Sequence, residues 1–342
     1  MYGLSASRGI LALLLTVTLA GCTSTTLEKE VRPLAESFAE PPATAGTLAD
    51  IALGIQREHG EEYSGFKVLD SSRDGLFWRL ALIDSATTSL DIQTYLWYPD
   101  HSGRLIMERA ILASQRGVKV RMIVDDLILQ GHDQLIANLH AAPNIEFRIF
   151  NPWGSRESLL DRAGEMLAEM ERLNTRMHDK LMIVDGRAAV VGGRNIGDHY
   201  FGLHEIYNFH DTDLLGIGHI ADQSNGMFDM FWNSEWVAPA DALSTEPDRE
   251  IARQQRASIQ QAIAESDRLE SFTTEPQDWT AELEELADEL RIGRSKLVYD
   301  EATAEQISQN MAASMFNFYS IAKEELLIQN AYIIPADPAI EF

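Results

Sequence analysis

Short apolar runs alternate with segments of helical periodicity between residues 66 and 150. The runs have the length and the residue types of strands: Phe66–Leu69, Leu90–Trp97, Val118–Val124 and Ile145–Phe150. Amphipathic stretches lie between them, and Leu105–Arg116 is the clearest predicted helix. Strands joined by helices predict an α/β fold in which helices cover both faces of a mostly parallel central sheet.

Two segments depart from this pattern. Residues 241–304 are polar and acidic, and their apolar residues recur only at helical spacing, so we expect a helical connector or insertion on the surface. A helix predicted around Glu305–Lys323 leads to Ala331–Pro335, which has strand character. We interpret residues 61–240 as a first domain and residues 305–342 as the truncated start of a second α/β unit.

The first 22 residues resemble a bacterial lipoprotein leader. A positive charge precedes the apolar run Gly9–Leu19, which is too short to span a bilayer as a stable helix. The Leu-Ala-Gly-Cys box that follows predicts lipidation of Cys22. Cys22 is the only cysteine, which excludes an internal disulfide. The alternative is an incidental cysteine beside an ordinary cleavage site.

A lipid on Cys22 would anchor the chain in the bacterial cell envelope, facing the periplasm. Thr23 stands where an inner-membrane retention signal has aspartate, which favours the outer membrane. Residues 23–60 begin with a tract rich in Pro, Ala, Thr and Glu, and we interpret this segment as a flexible spacer from the membrane.

The chain is strongly acidic. Its 53 acidic and 28 basic residues leave a formal net charge of −25. This charge opposes loose association with nucleic acid, so no nucleic-acid partner is expected. A site that handles phosphate must therefore concentrate positive charge locally.

The strongest hairpin signal in the chain is the dipeptide Asp185-Gly186, which two β-prone runs flank. With these two residues as the loop, His178 is expected opposite Gly193. Residues two apart on a strand share a face, so His178 and Lys180 are expected to point the same way. The hairpin thus predicts one patch that carries both side chains.

This patch has the composition of a phosphate site with a nucleophile in it. Lys180 and Asn195 would neutralise the non-bridging oxygens, and Gly193 would leave open space and exposed backbone. His178 titrates near neutrality and can attack phosphorus as the free base. The chemistry requires no metal and no other cofactor.

The residues around this patch resemble a known family. His-x-Lys-(x)4-Asp at residues 178–185 and Gly-Gly-x-Asn at residues 192–195 match the signature of the phospholipase D superfamily. The similarity extends to four flanking segments: residues 90–97, 118–127, 194–201 and 228–233. These segments resemble the bacterial cardiolipin synthase branch, which implies the phospholipase D-like α-β-α sandwich.

By motif position, the resemblance implies that His178 is the nucleophile or else the general acid. It also implies that Lys180 and Asn195 bind the phosphate. Asp185 completes the signature, but the hairpin places it in the turn, so we expect it to have a structural role. The family uses a later acid to orient the histidine ring. Asp211 fits this role best, with Asp213 as the reserve.

Other residues leave alternatives open. Asp125 and Asp126 end a predicted strand, where sites often form, but they would equally cap the next helix. Tyr95 and Trp97 alternate like core residues, and we favour core packing over substrate stacking. The histidines and acids of residues 199–213 match no standard ligand spacing, so no metal site is predicted.

The second motif of the family is missing. Family enzymes use two histidines, whereas only His178 among the nine histidines is followed by lysine two residues later. The chain is therefore a truncated copy whose second half begins near Leu326, a homodimer that pools two copies of His178, or an inactive remnant. The strand-like run near the last residue favours truncation.

We therefore expect the front part of an enzyme that transfers a phosphatidyl group between two phospholipids, typically giving cardiolipin, through a phosphohistidine intermediate. A lipid on Cys22 would place the site beside its phospholipid substrate. Hydrolysis to phosphatidic acid is the same chemistry with water as the acceptor, and both outcomes stay open. The alternatives are a nucleic-acid phosphodiesterase, which the net charge of −25 disfavours, and a non-catalytic envelope lipoprotein.

Overall fold

A computed structural model of the chain describes residues 35–156, 159–243, 245–303, 308 and 310–328. The leader with Cys22 and the run Ala331–Pro335 lie outside the described residues, so the expectations for both stay predictions. Within the described part of the chain, no helix is long and apolar enough to cross a membrane.

The described residues form strands and helices in alternation. The strands are β1 Tyr63–Leu69, β2 Ser89–Thr94, β3 Lys119–Asp125, β4 Ile145–Phe150, β5 Leu181–Val184, β6 Ala188–Gly192, β7 Asp213–Gly218, β8 Val237–Pro239 and β9 Arg291–Arg294. The helices are α1 Thr47–His59, α2 Ser72–Ser85, α3 His101–Gln115, α4 Asp133–His140, α5 Leu159–Ala168, α6 Met170–Asn174, α7 Asp198–Phe201, α8 His219–Trp232, α9 Arg249–Ala264, α10 Thr280–Glu289 and α11 Asn310–Tyr319.

All nine strands belong to one sheet, in the order β8-β4-β3-β2-β5-β6-β7-β1-β9. The predicted α/β fold is confirmed, but the expectation of a mostly parallel sheet is wrong. Only β2–β3 and β3–β4 are parallel, and every other pair is antiparallel. Parallel neighbours need a crossover, which α3 and α4 supply, whereas the tight β5–β6 turn reverses the chain.

Helices cover both faces of the sheet because successive strand residues point to opposite sides. On β3, Val120 and Met122 belong to the core that packs beneath α2 and α3. Arg121 points the other way, and its guanidinium lies 4.7 Å from the Phe228 ring and 5.3 Å from the Trp232 ring of α8. This buried cation is neutralised within the same layer by Asp91 and Asp229.

The acidic segment takes part in this architecture. Its helices α9 and α10 carry charge on their outer faces, while Ile263, Trp279, Leu283 and Leu286 are buried in the main core. Strand β9 follows α10 and pairs antiparallel with β1, which extends the sheet by one strand. The domain limits inferred from the sequence stay predictions.

The β5–β6 hairpin forms with a register one residue away from the predicted one. Leu181 pairs with Val191, and Val184 pairs with Ala188, so Asp185–Arg187 make a three-residue loop. The predicted pairing took only Asp185 and Gly186 as the loop. Both do adopt left-handed backbone conformations, with φ of 57° and 59°. The third loop residue is Arg187, whose carbonyl oxygen accepts a hydrogen bond from the backbone N–H of Gly218 of β7.

The Asp185 carboxylate holds the hairpin loop against the start of β2. It is buried, and it accepts hydrogen bonds from the backbone N–H groups of Thr87, Thr88 and Ser89 at 2.7–3.0 Å. The hydroxyl groups of Thr87 and Thr88 donate to the same carboxylate. The loop that follows β5 is therefore anchored to the neighbouring strand by one side chain.

We expect Asp185→Ala to lower the free energy of unfolding by about 3 kcal/mol, because several buried donors lose a charged acceptor. Urea denaturation of the full chain measures this change. Glu284→Ala, which removes an exposed carboxylate from α10, serves as the matched control and should change stability by less than about 0.5 kcal/mol. Equal effects of the two substitutions would contradict the anchoring role.

Candidate active site

Five strand ends meet at one edge of the sheet. Strands β2, β3 and β6 end there, while β5 and β7 begin there, because β5 and β7 run antiparallel to their neighbours. This arrangement brings together residues that are far apart in the chain: 94–97, 125–127, 176–180, 192–195 and 211–213. The edge therefore collects the predicted motif residues and several that were not predicted.

His178 and Lys180 are in direct contact. The Lys180 ammonium lies 3.0 Å from Nδ1 of His178 and also donates to the His178 carbonyl oxygen. Lys180 is buried, whereas His178 is exposed at the surface of the edge. The imidazole is thus open to a ligand, with a cation held beneath it.

Tyr95, the residue after β2, lies close to both His178 and Lys180. The Tyr95 ring centroid lies 4.8 Å from that of His178 and 5.3 Å from the Lys180 ammonium. The expectation of core packing is wrong for Tyr95, which is only half-buried and belongs to the site. Trp97 is buried, and its indole N–H donates to the Gly103 carbonyl oxygen.

The local electrostatics favour a neutral imidazole beside a charged lysine. Partial burial, and then the Lys180 charge, lower the pKa of His178 below its ordinary value. Burial also lowers the pKa of Lys180 to about 8, and the charges of Asp179 and Asp211 oppose that shift. At neutral pH the ring is therefore available as a base or nucleophile, and most of the lysine remains protonated.

Gly192, the last residue of β6, and Gly193, the residue after it, make room for the chain that enters β7. A Cβ on Gly193 would come within 2.6 Å of Oδ1 of Asp211, and one on Gly192 would collide with Asp213. The open space expected at Gly193 is therefore filled by the Asp211 carboxylate. Any larger residue at either position would push these acids away from the site.

The two candidate orienting acids differ in what they contact. Asp213 is buried and forms ion pairs with Arg79 at 2.8 Å and with Arg194 at 3.2 Å. Asp211 is half-exposed, lies against Gly193 and is close enough to Lys180 to influence its pKa. In the described part of the chain, no hydrogen bond joins Asp211 to His178.

Asn195 contacts the protein through both ends of its amide. Its Oδ1 accepts from the backbone N–H of Leu96 at 3.1 Å, and its Nδ2 donates to the Tyr200 hydroxyl at 2.8 Å. The side chain therefore fixes the backbone beside Tyr95 and orients the Tyr200 phenol. One N–H of the amide and the phenol O–H remain as donors for a ligand.

Asp125 positions the segment that carries the histidine. Its carboxylate accepts from the Met177 backbone N–H and from Arg176, each at 3.1 Å, and from Leu127 N–H at 3.0 Å. Burial raises the pKa of Asp125 to about 7. Asp126 instead accepts from Trp153 N–H and pairs with Arg156, so only the first acid of the pair contacts the site. In the sequence, the signal that could have pointed to Asp125 was its position at the end of a predicted strand, where sites often form.

Comparisons with known proteins find similarity over the part of the chain that contains the candidate site. Residues 80–232 match the family model described as "Cardiolipin synthase, PLD-like domain", a range that contains the whole candidate site. The chain is 38% identical over 205 residues to cardiolipin synthase C of Escherichia coli, a match that covers 60% of this chain and 42% of that protein. A cardiolipin synthase of Clostridium perfringens is 29% identical over 152 residues, which cover 44% of this chain and 29% of the relative.

An uncharacterized protein of Helicobacter pylori is 40% identical over 185 residues, which cover 54% of this chain and 36% of that protein. The chain thus spans about two fifths of the length of cardiolipin synthase C of Escherichia coli. Among solved structures, a phosphatidylserine synthase of Haemophilus influenzae aligns with 63% of this chain and 47% of its own, at 17% identity and a TM-score of 0.41. The phospholipase D family member Nuc of Salmonella typhimurium aligns with 52% of this chain and 97% of its own, at 20% identity and a TM-score of 0.35.

We expect Lys180→Met to raise the pKa of His178 toward its ordinary value of 6.5, because the substitution removes a positive charge that disfavours the imidazolium. NMR titration of the His178 ring in the full chain measures the shift. Lys119→Met removes an exposed lysine that pairs with Glu40 and serves as the control. An unchanged His178 pKa in the Lys180 variant would contradict the electrostatic coupling.

Substitutions of Asp213 and Asp211 test how differently the two acids contribute to stability. We expect Asp213→Asn to lower the free energy of unfolding by about 3–5 kcal/mol, because two buried arginines lose their counter-charge. Asp211→Asn should change it by less than about 1 kcal/mol, since Asp211 is half-exposed and its loss leaves no buried arginine unpaired. Denaturation curves of both variants measure these changes. An Asp213→Asn protein as stable as the wild type would contradict the stabilising role of the Asp213 ion pairs.

Proposed function

We propose that this chain transfers a phosphatidyl group between phospholipids, giving cardiolipin from phosphatidylglycerol-like lipids. The match of residues 80–232 to the family model described as "Cardiolipin synthase, PLD-like domain" supports this proposal. The observation that carries the proposal is the exposed imidazole of His178 with the Lys180 ammonium 3.0 Å from its Nδ1. A neutral nucleophile beside a buried cation suits attack on an anionic phosphodiester.

In the first step, His178 attacks the phosphorus of the donor lipid, a P–N bond forms and the P–O bond to the leaving glycerol breaks. Attack through Nε2 requires the ring proton on Nδ1, the atom that faces Lys180. We propose that Lys180 moves from Nδ1 to a non-bridging phosphate oxygen when the lipid binds. Asp211, beside Gly193, then becomes the acceptor that holds the ring in this tautomer.

The non-bridging oxygens gain charge as phosphorus becomes five-coordinate. Lys180 and the remaining donors of Asn195 and Tyr200 face this charge. The leaving oxygen takes its proton from a second acid, which in the resemblance is the histidine of a second motif. Because the 342 residues contain no second His-x-Lys sequence, that histidine comes from a second copy of this chain or from a further segment of a longer protein.

In the second step, a hydroxyl group of the acceptor lipid attacks the phosphohistidine, its proton passes to the second histidine, and the P–N bond breaks. Water as the acceptor would give phosphatidic acid by the same route. Asp185 takes no part in either step, because its carboxylate is engaged by the backbone and side chains of residues 87–89. Its proposed role is to hold the β5–β6 loop.

We further propose that a lipid on Cys22 anchors the protein in the bacterial cell envelope, facing the periplasm, with the outer membrane favoured. An anchored enzyme meets its substrate in two dimensions, so the strong negative charge of the chain would not prevent access to anionic lipid.

The test is a lipid assay on the full chain in detergent with phosphatidylglycerol, with the products analysed by mass spectrometry. We expect cardiolipin and glycerol from the wild type, and a rate at least about 100-fold lower in His178→Ala. His219→Ala, which removes a part-exposed histidine at the start of α8, is the matched control and should keep the wild-type rate.

Size-exclusion chromatography in parallel tests whether the second histidine comes from a second copy of the chain. Activity that elutes only with a dimer would mean that two copies pool their motifs. A folded wild-type chain that forms neither cardiolipin nor phosphatidic acid would contradict the proposed function of this chain.

A further inference from the structure

A large apolar cavity, which takes no part in the mechanism above, is lined in part by residues near the ends of β2 and β3. Its volume is about 520 Å³, within the range of about 300–1,000 Å³ typical of ligand pockets. Side chains from α3, β3, α4 and β4 form most of its wall: Met107, Val124, Leu135, Ile136, Leu139 and Phe147. Trp97, which follows β2, and Ile259 of α9 also line it.

We propose that this cavity binds a fatty acyl chain of the phospholipid whose phosphate reacts at His178, an inference that rests on the proposed function. Most of the wall is apolar, so the cavity offers contacts for hydrocarbon.

Two stretches of backbone connect the cavity to the catalytic edge. Trp97 lines the cavity, while Tyr95, two residues earlier, packs on the His178 ring. Two residues of extended chain span at most about 7 Å. Val124 also lines the cavity, and it lies one residue before the end of β3, the strand end at which Asp125 holds the segment before His178 through Met177 N–H. A lipid with its phosphate at His178 thus has the cavity within reach of its acyl chains.

The polar residues of the cavity support an anionic lipid as the source of that chain. They are half-buried or exposed, and therefore lie where the cavity opens to solvent: Arg104, His132, Gln255 and Ser258. Arg104 forms no ion pair within the described ranges and supplies positive charge in a chain with a net charge of −25. An apolar interior behind a positively charged opening suits the acyl chain of an anionic phospholipid.

The first test measures contact directly and does not depend on activity. Full-length chain in mixed micelles is titrated with phosphatidylglycerol that carries bromine atoms along its acyl chains, which quench tryptophan fluorescence on contact. We expect the quenching to fall clearly in Trp97→Phe. Trp279→Phe removes a buried tryptophan outside the cavity and should leave the quenching unchanged. Equal quenching in the wild type and Trp97→Phe would overturn the proposal.

The second test fills the cavity. Leu135→Trp should reduce transfer from dipalmitoyl phosphatidylglycerol by about 10-fold relative to dihexanoyl phosphatidylglycerol, because the larger side chain displaces a long acyl chain. Leu160→Trp, at an exposed position on α5, is the control. An unchanged chain-length preference with normal transfer would overturn the acyl site and leave the proposed function intact. Quenching at Trp97 in a chain without transfer activity would support the acyl site and contradict the proposed function.

Discussion

The buried ion triad of Asp213 with Arg79 and Arg194 holds the catalytic edge together. Arg194 also donates to the carbonyl oxygens of Leu69 and Asp70, each at 2.7 Å, so the ends of β1 and β6 and the beginning of β7 are linked through one guanidinium. Arg79 brings α2 into the same cluster. A charge so deeply buried is tolerated only when it is fully paired, which makes the relative positions of these elements mutually dependent.

This ion triad explains why glycines occupy the last position of β6 and the position after it. The chain that carries Asp211 and Asp213 passes directly over Gly192 and Gly193, where a Cβ has no space. The close approach sets Asp213 against the arginines and leaves Asp211 at the surface near Lys180. The two acids, two residues apart in the chain, thus differ in burial and in the groups that they contact.

The site also shows how an acidic protein makes a region suited to phosphate. Burial keeps Lys180 close to His178, lowers the pKa of both groups and thereby favours a neutral nucleophile. Asp125 anchors the preceding residues from the other side, and Tyr95 packs on the ring. The local arrangement of a few buried groups, rather than the net charge of the chain, determines what the edge can bind.

The sequence by itself determined the α/β class, the hairpin around Asp185-Gly186 and the closeness of His178 and Lys180, because these depend on local periodicity, turn chemistry and a spacing of two residues. It did not determine strand direction across the sheet. It also missed the one-residue shift of the hairpin, in which Arg187 belongs to the loop and its carbonyl oxygen accepts a hydrogen bond from Gly218 in another strand.

The division of labour between Asp211 and Asp213, the place of Tyr95 in the site and the anchoring by Asp125 were likewise decided only by the tertiary structure. Each depends on groups that are distant in the chain and meet only when five strand ends converge. Local patterns specify which elements form. The burial and pairing of charges between those elements specify how the site is assembled.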